Sequence, residues 1–182
     1  PPGLTILSIS QDAFKSMESR KMPIASFYCN LLMWKNYYEE KWFPYTQSIS
    51  DINGLHIAID NILDDESIIL RHTQIAKGIR KAVIDAGLKL YTEDGYSNTV
   101  SVIVIPDGIQ DEALRKLMLD KYNIFIAGSF GYLLGKVIRI GHMGENARVD
   151  KVSYTLFALQ KSLEYLGFKC KCDMMDKFMQ LQ

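Results

Sequence analysis

The residue whose type and position most clearly suggest chemistry is an arginine inside a predicted strand. The segment GKVIRIG occupies residues 135–141, and strand alternation puts Val137 and Arg139 on one of its faces. A guanidinium is planar and always charged, so it can hold a carboxylate through two parallel hydrogen bonds. The residues alone leave two interpretations open for Arg139: a solvent-facing side chain on a half-exposed sheet, or a clamp for the carboxylate of a ligand.

The histidines and cysteines do not predict a metal site. His56 and His72 are too far apart in the sequence to form an i, i+4 ligand pair, and His142 follows the end of a predicted strand. Cys170 and Cys172 lack the spacing and the second pair of a structural zinc site. We therefore expect free thiols and no bound metal. The odd number of cysteines, 3, favours a reducing compartment over a disulfide framework.

The composition is typical of an ordinary folded protein. Of 182 residues, 48% are hydrophobic and 23% charged, so the chain is long and apolar enough to bury a core. Basic and acidic residues both number 21, and the resulting net charge of zero argues against a nucleic-acid partner. No apolar run approaches the roughly 18 residues of a membrane span, and the first residues do not resemble a signal peptide. We expect a cytoplasmic protein with neither a nucleic-acid nor a membrane partner.

The first part of the chain predicts one strand followed by helices. Residues 4–9 are apolar and β-branched enough for a buried strand, and Ser10 can cap a short helix after it. Helical spacing within 27–38 predicts a helix that packs on a core or a partner; the residues that carry it are Phe27, Leu31, Trp34 and Tyr38. Pro44 and a cluster of hydroxyl residues predict an irregular segment. Apolar periodicity across 52–83 then predicts one long helix or two in line.

The remainder alternates strand and helix patterns. Glycine at position 87 fits the C′ position of the preceding helix. Strands are predicted at 88–92, 99–106, 123–128 and 136–141, helices at 110–122 and 150–167, and a short amphipathic tail covering an edge after that. The order predicts an α+β fold, in which a small mixed or antiparallel sheet has helices on one face.

Several separated motifs resemble the C-terminal half of the class V, fold-type I aminotransferases, most closely the alanine–glyoxylate and serine–pyruvate group. The residues that carry the resemblance are PPGLTILSIS at 1–10, SRKMPIASFYCNLLMWKNYY at 19–38, FPYT at 43–46, GLHIAIDNIL at 54–63, RHTQIAKGIRKAVIDAGLKLY at 71–91 and GKVIRIGHMGENA at 135–147. The likeness is in order and extends to about Gly167, and residues 168–182 have no counterpart in it.

The resemblance implies a cofactor and a reaction. Family members hold pyridoxal 5′-phosphate (PLP) through a lysine Schiff base and move an amino group between an amino acid and a keto acid. The family lysine comes a few residues before the Pro-Pro-Gly motif, which here begins at Pro1, and the sequence does not start with methionine. We therefore expect a fragment that lacks this lysine, contains no catalytic residue and is inactive alone.

Two family roles are carried onto residues of this chain. Arg139 matches the arginine that receives the substrate carboxylate, and Thr46 matches a hydroxyl that reaches the cofactor phosphate of the neighbouring subunit in a homodimer. Phe43 stands where the family has a tyrosine and cannot donate a hydrogen bond. The loop GSFGY at 128–132 is bulkier than the family pattern, which leaves the preferred substrates open.

The resemblance also implies a domain division and a substrate class. Residues 1–45 would form the end of the large PLP-binding domain with its last strand and connecting segments, residues 46–167 the small domain with a long interdomain helix, and residues 168–182 a tail. The expected substrates are an alanine- or serine-like amino acid and glyoxylate or pyruvate. Two alternatives remain: cysteine desulfuration on the same scaffold, for which Cys29 in an aromatic helix is a poor nucleophile, and a non-catalytic α+β domain that binds a ligand or a partner.

Overall fold

The computed structural model describes residues 3–182 and divides between Asp64 and Asp65 into two units. Pro1 and Pro2 of the Pro-Pro-Gly motif lie outside the described residues. The division separates units of this chain and does not test the domain limits predicted for a longer protein.

The first unit begins with an irregular segment and a capped helix. Helix α1 (Gln11–Glu18) starts as predicted, because the Ser10 hydroxyl accepts a hydrogen bond from the Ala13 N–H at 3.1 Å. The strand predicted at 4–9 is wrong: these residues are irregular, and Ile6 is 75% exposed. A strand needs backbone partners, and residues 3–64 contain no second strand that could supply them.

The aromatic segment does not form the single helix predicted for it. It contains a 3₁₀ turn (Leu31–Trp34), started by the Asn30 side chain, and one helical turn α2 (Tyr37–Glu40). Its rings instead gather around Tyr45, at centroid distances of 6.3 Å for Phe27, 5.2 Å for Tyr28 and 5.3 Å for Trp34. This clustering requires the chain to fold back on itself, which a continuous helix would prevent.

The long helical region consists of two helices. Helix α3 (Ile49–Leu63) ends the first unit, and helix α4 (Ile68–Asp85) begins the second. Gly87 has a φ of 90° and follows the C-cap of α4, where the Leu88 N–H donates to the Val83 carbonyl at 3.1 Å. The left-handed conformation of Gly87 confirms the predicted end of this helix.

The second unit is built on a three-stranded antiparallel sheet in the order β1 (Lys89–Leu90), β2 (Val100–Val104), β3 (Val137–Gly141). Ile103 pairs with Ile138, and both are buried against the helices. Val102 pairs with Arg139 on the opposite face, where both side chains are half-buried. The predicted α+β fold with a small antiparallel sheet is confirmed.

The strand predicted at 123–128 is wrong. Asn123 is left-handed and ends helix α5 (Asp111–Tyr122), and the following segment reaches the edge of β3 only at Ala127. Ala127 and Arg139 exchange two backbone hydrogen bonds, of 2.7 and 3.2 Å. No further bridge follows Ala127 within the described residues, and the carbonyl of the next residue, Gly128, accepts a hydrogen bond from the Nε–H of Arg139 at 2.8 Å.

Helices α6 (Val149–Tyr165) and α7 (Met174–Met179) complete the core. Helix α7 packs against both α4 and α6, and its Met174 and Phe178 are fully buried. The Met174 N–H donates to the Gln160 side chain at 2.8 Å. The tail therefore belongs to the core of the second unit. Among residues 3–182, none of the helices combines the length and the apolarity that a bilayer crossing requires.

Candidate functional site

Arg139 lies on the half-exposed face of β3 with one edge of its guanidinium already engaged. Its Nε donates to the Gly128 carbonyl at 2.8 Å, and its backbone is paired with Ala127. Within residues 3–182 neither terminal nitrogen of Arg139 has a hydrogen-bond or ion-pair partner. The fixed Nε sets the plane of the group and leaves Nη1 and Nη2 for one carboxylate, bound end-on through two hydrogen bonds.

An aromatic rim borders this guanidinium. The Phe130 ring centroid lies 5.9 Å from the Cζ of Arg139, a distance at which a cation still interacts with a ring face. The Tyr132 hydroxyl lies 3.4 Å from that of Tyr91, and this hydrogen bond raises the pKa of Tyr91. Tyr91 is therefore uncharged near neutral pH. Phe130 and Tyr132 are each 77% exposed in this chain.

Two histidines fix the chain beyond β3. The Nε2 of His72 accepts the Gly144 N–H at 2.9 Å, so its proton sits on Nδ1, 2.6 Å from the Ile68 carbonyl. His142 is fully buried, with Nε2 at 3.0 Å from the Ser101 hydroxyl, and burial lowers its pKa to about 4. Sequence reasoning missed the contacts of His72 with Gly144 and of His142 with Ser101, because the two residues of each contact are remote in the sequence. No group of three potential metal ligands lies together in residues 3–182.

Thr46 lies in the irregular segment 41–48 of the first unit, whereas Arg139 belongs to the second. The Thr46 side chain is exposed, and among the described residues its hydroxyl makes no hydrogen bond. It is therefore free to donate to an anion such as a phosphate. Phe43, in the same segment, is 49% exposed and presents a ring without a donor. The ring of the neighbouring Tyr45 packs among other aromatic side chains.

The chain matches aminotransferases in both sequence and structure, although no family model matches it. It is 35% identical to an uncharacterised aminotransferase of Methanocaldococcus jannaschii over 94% of this chain and 45% of the relative. It is 33% identical to a serine–glyoxylate aminotransferase of Hyphomicrobium methylovorum over 94% of this chain and 43% of the relative.

A solved structure gives the same result. The crystal structure of pyridoxamine–pyruvate aminotransferase from Mesorhizobium loti superposes with a TM-score of 0.87 at 30% identity, over 95% of this chain and 46% of that one. The chain thus spans less than half the length of the proteins it matches, as expected of a C-terminal portion. It is homologous to the class V aminotransferases and corresponds to a little less than half of such a protein.

Proposed function

We propose that the chain is the C-terminal part of a PLP-dependent aminotransferase that moves an amino group between an alanine- or serine-like amino acid and glyoxylate or pyruvate. The observation that carries the proposal is Arg139, whose Nε is held at 2.8 Å by Gly128 while both terminal nitrogens are unpaired within residues 3–182. The names of the relatives support the acceptors, since one is a serine–glyoxylate and another a pyridoxamine–pyruvate aminotransferase.

In this proposal the chain binds and orients the substrate. Arg139 receives the α-carboxylate, and the two-point contact fixes the direction of the amine or carbonyl on the adjacent carbon. PLP, when bound, supplies an electron sink for the reaction. The exposed, unpaired Thr46 hydroxyl fits a role in holding its phosphate, and Phe43 adds no donor there. The lysine that binds PLP is expected upstream of this chain.

The surface of the first unit supports a homodimeric assembly. Residues 3–64 include no buried side chain. Helix α3 and the aromatic segment expose large apolar groups: Phe27, Tyr28, Trp42, Phe43, Ile52, Ile57, Ile59 and Ile62. Extended apolar surface of this kind marks an interface. We propose that the rest of the protein and a second subunit cover it. The cytoplasmic location stays a prediction.

Amino transfer is favoured over the alternative reaction on the same scaffold. Cys29 lies in an exposed turn instead of the predicted aromatic helix. The named relatives given above are nevertheless aminotransferases, and none is named for cysteine desulfuration. The alternative of a non-catalytic domain that binds a ligand or a partner is disfavoured by the same names, since each of these relatives is named as an aminotransferase.

The test is whether PLP binds covalently. With PLP added, the protein extended upstream through the expected lysine should show the visible absorption band of lysine-bound cofactor, and the 182-residue chain should not. Borohydride reduction and peptide mapping would then identify the modified lysine. A stable band with the 182-residue chain would contradict the upstream position of this lysine.

A further inference from the structure

An ion pair at the start of α5 lies against the loop that holds Arg139. The Nε of Arg115 donates to the Oδ1 of Asp111 at 2.8 Å, and its Nη2 donates to Oδ2 at 3.0 Å. The Asp111 side chain is only 9% exposed. This two-point geometry is the strongest form of such a pair, and it raises the pKa of Arg115.

Gly128 connects this pair to Arg139. A Cβ at position 128 would lie 2.9 Å from the Oδ2 of Asp111 and 3.0 Å from the Nε of Arg115. The backbone therefore packs directly on the pair, and a side chain at position 128 would force the loop or the pair to shift. The carbonyl of the same glycine accepts the Nε–H of Arg139 at 2.8 Å. Three successive contacts thus link the start of α5 to the guanidinium. Arg115 binds Asp111, this pair packs on Gly128, and Gly128 binds Arg139.

We propose that Asp111 and Arg115 are positioning residues for Arg139. They hold the Gly128 carbonyl in place, so the Nε of Arg139 stays engaged and its terminal nitrogens keep the geometry that a carboxylate needs. This inference rests on the proposed function of Arg139. Neither Asp111 nor Arg115 contacts the substrate in it.

The test measures how tightly propanoate, a small carboxylate without an amino group, binds the complete PLP-loaded protein. Calorimetry gives its Kd, and steady-state kinetics give KM and kcat for the amino donor. Arg115→Lys keeps the positive charge but loses the two-point contact with Asp111. The added Cβ of Gly128→Ala pushes the loop and the ion pair apart. We expect each to weaken propanoate binding by about tenfold and to raise KM far more than it lowers kcat.

A neighbouring pair of the same type supplies the matched control. Lys116 and Asp120, on the same helix, form an i, i+4 ion pair at 2.8 Å whose side chains are 73% and 56% exposed. Lys116→Ala should leave the Kd of propanoate unchanged. Thermal melting of each variant separates a loss of binding from a loss of folding. If Arg115→Lys fails to fold, the Gly128→Ala result decides.

A double-mutant cycle separates this inference from the proposed function. If Arg115 acts through Arg139, adding Arg115→Lys to Arg139→Lys should weaken propanoate binding no further. Two results would overturn the positioning role while leaving Arg139 as the clamp. In the first, Arg115→Lys weakens propanoate binding equally in the wild type and in Arg139→Lys. In the second, Arg115→Lys and Gly128→Ala both bind propanoate as tightly as the wild type. Equal binding by the wild type and by Arg139→Lys would overturn the clamp itself.

Discussion

Replacing Arg139 by lysine in the complete protein should raise KM for every α-carboxylate substrate by about tenfold or more. Replacing it by alanine should raise the same KM by about a hundredfold or more. The structure gives the reason: the guanidinium uses Nε for the Gly128 carbonyl and keeps two further nitrogens for a carboxylate. A lysine ammonium is a single point charge and cannot make both contacts in fixed directions. Steady-state kinetics with several amino acids measure the effect.

Two comparisons make this prediction specific. Arg148→Lys changes an exposed arginine paired with Glu145 at 2.9 Å, and it should leave KM unchanged. Amino acid amides lack the carboxylate, so their weaker turnover should be insensitive to the Arg139 substitution. Unchanged KM for α-carboxylate substrates in Arg139→Lys would return this residue to the solvent-facing interpretation.

Phe178→Ala should destabilise the second unit by about 3–5 kcal/mol. Phe178 is fully buried in α7, and a Cβ at Gly78 of α4 would lie 2.8 Å from its ring. The ring therefore packs directly against the backbone of α4, and alanine would leave a cavity between α4 and α7. Hydrogen exchange by mass spectrometry on the complete protein should show faster exchange in α4, α6 and α7.

The adjacent methionine is the control for this change. Met179 is 49% exposed on the same short helix, so Met179→Ala should change the free energy of unfolding of the second unit by less than about 0.5 kcal/mol. Similar exchange rates in Phe178→Ala and Met179→Ala would contradict the placement of the tail in the core.

Local sequence patterns predicted the elements that local interactions can specify. The serine cap of α1, the left-handed glycine after α4 and the amphipathic helix α6 were all predictable, because each depends on residues within a few positions. The strand predicted at 4–9 and the one at 123–128 failed for the opposite reason. A strand exists only where a partner meets it, and one-dimensional periodicity contains no information about partners.

The candidate site was likewise predictable only in its local features. Alternation placed Arg139 on the face opposite Ile138 and Ile140, and in the structure those two side chains are buried while Arg139 is half-buried. Its support was not predictable, because Asp111 and Arg115 have the spacing of an ordinary surface ion pair on a helix. Only the fold brings Gly128 against them. Residues 174 and 178 likewise showed helical spacing, but their burial depends on α4 and α6.

The most direct test of the account is amino transfer by the complete, PLP-loaded protein. The protein is incubated with L-alanine and glyoxylate, and separately with L-serine and pyruvate, and the amino acid products are separated by chromatography. We predict that glycine forms in the first mixture or alanine in the second, at a rate that falls in Arg139→Lys. A protein that retains PLP and forms neither product would contradict the account.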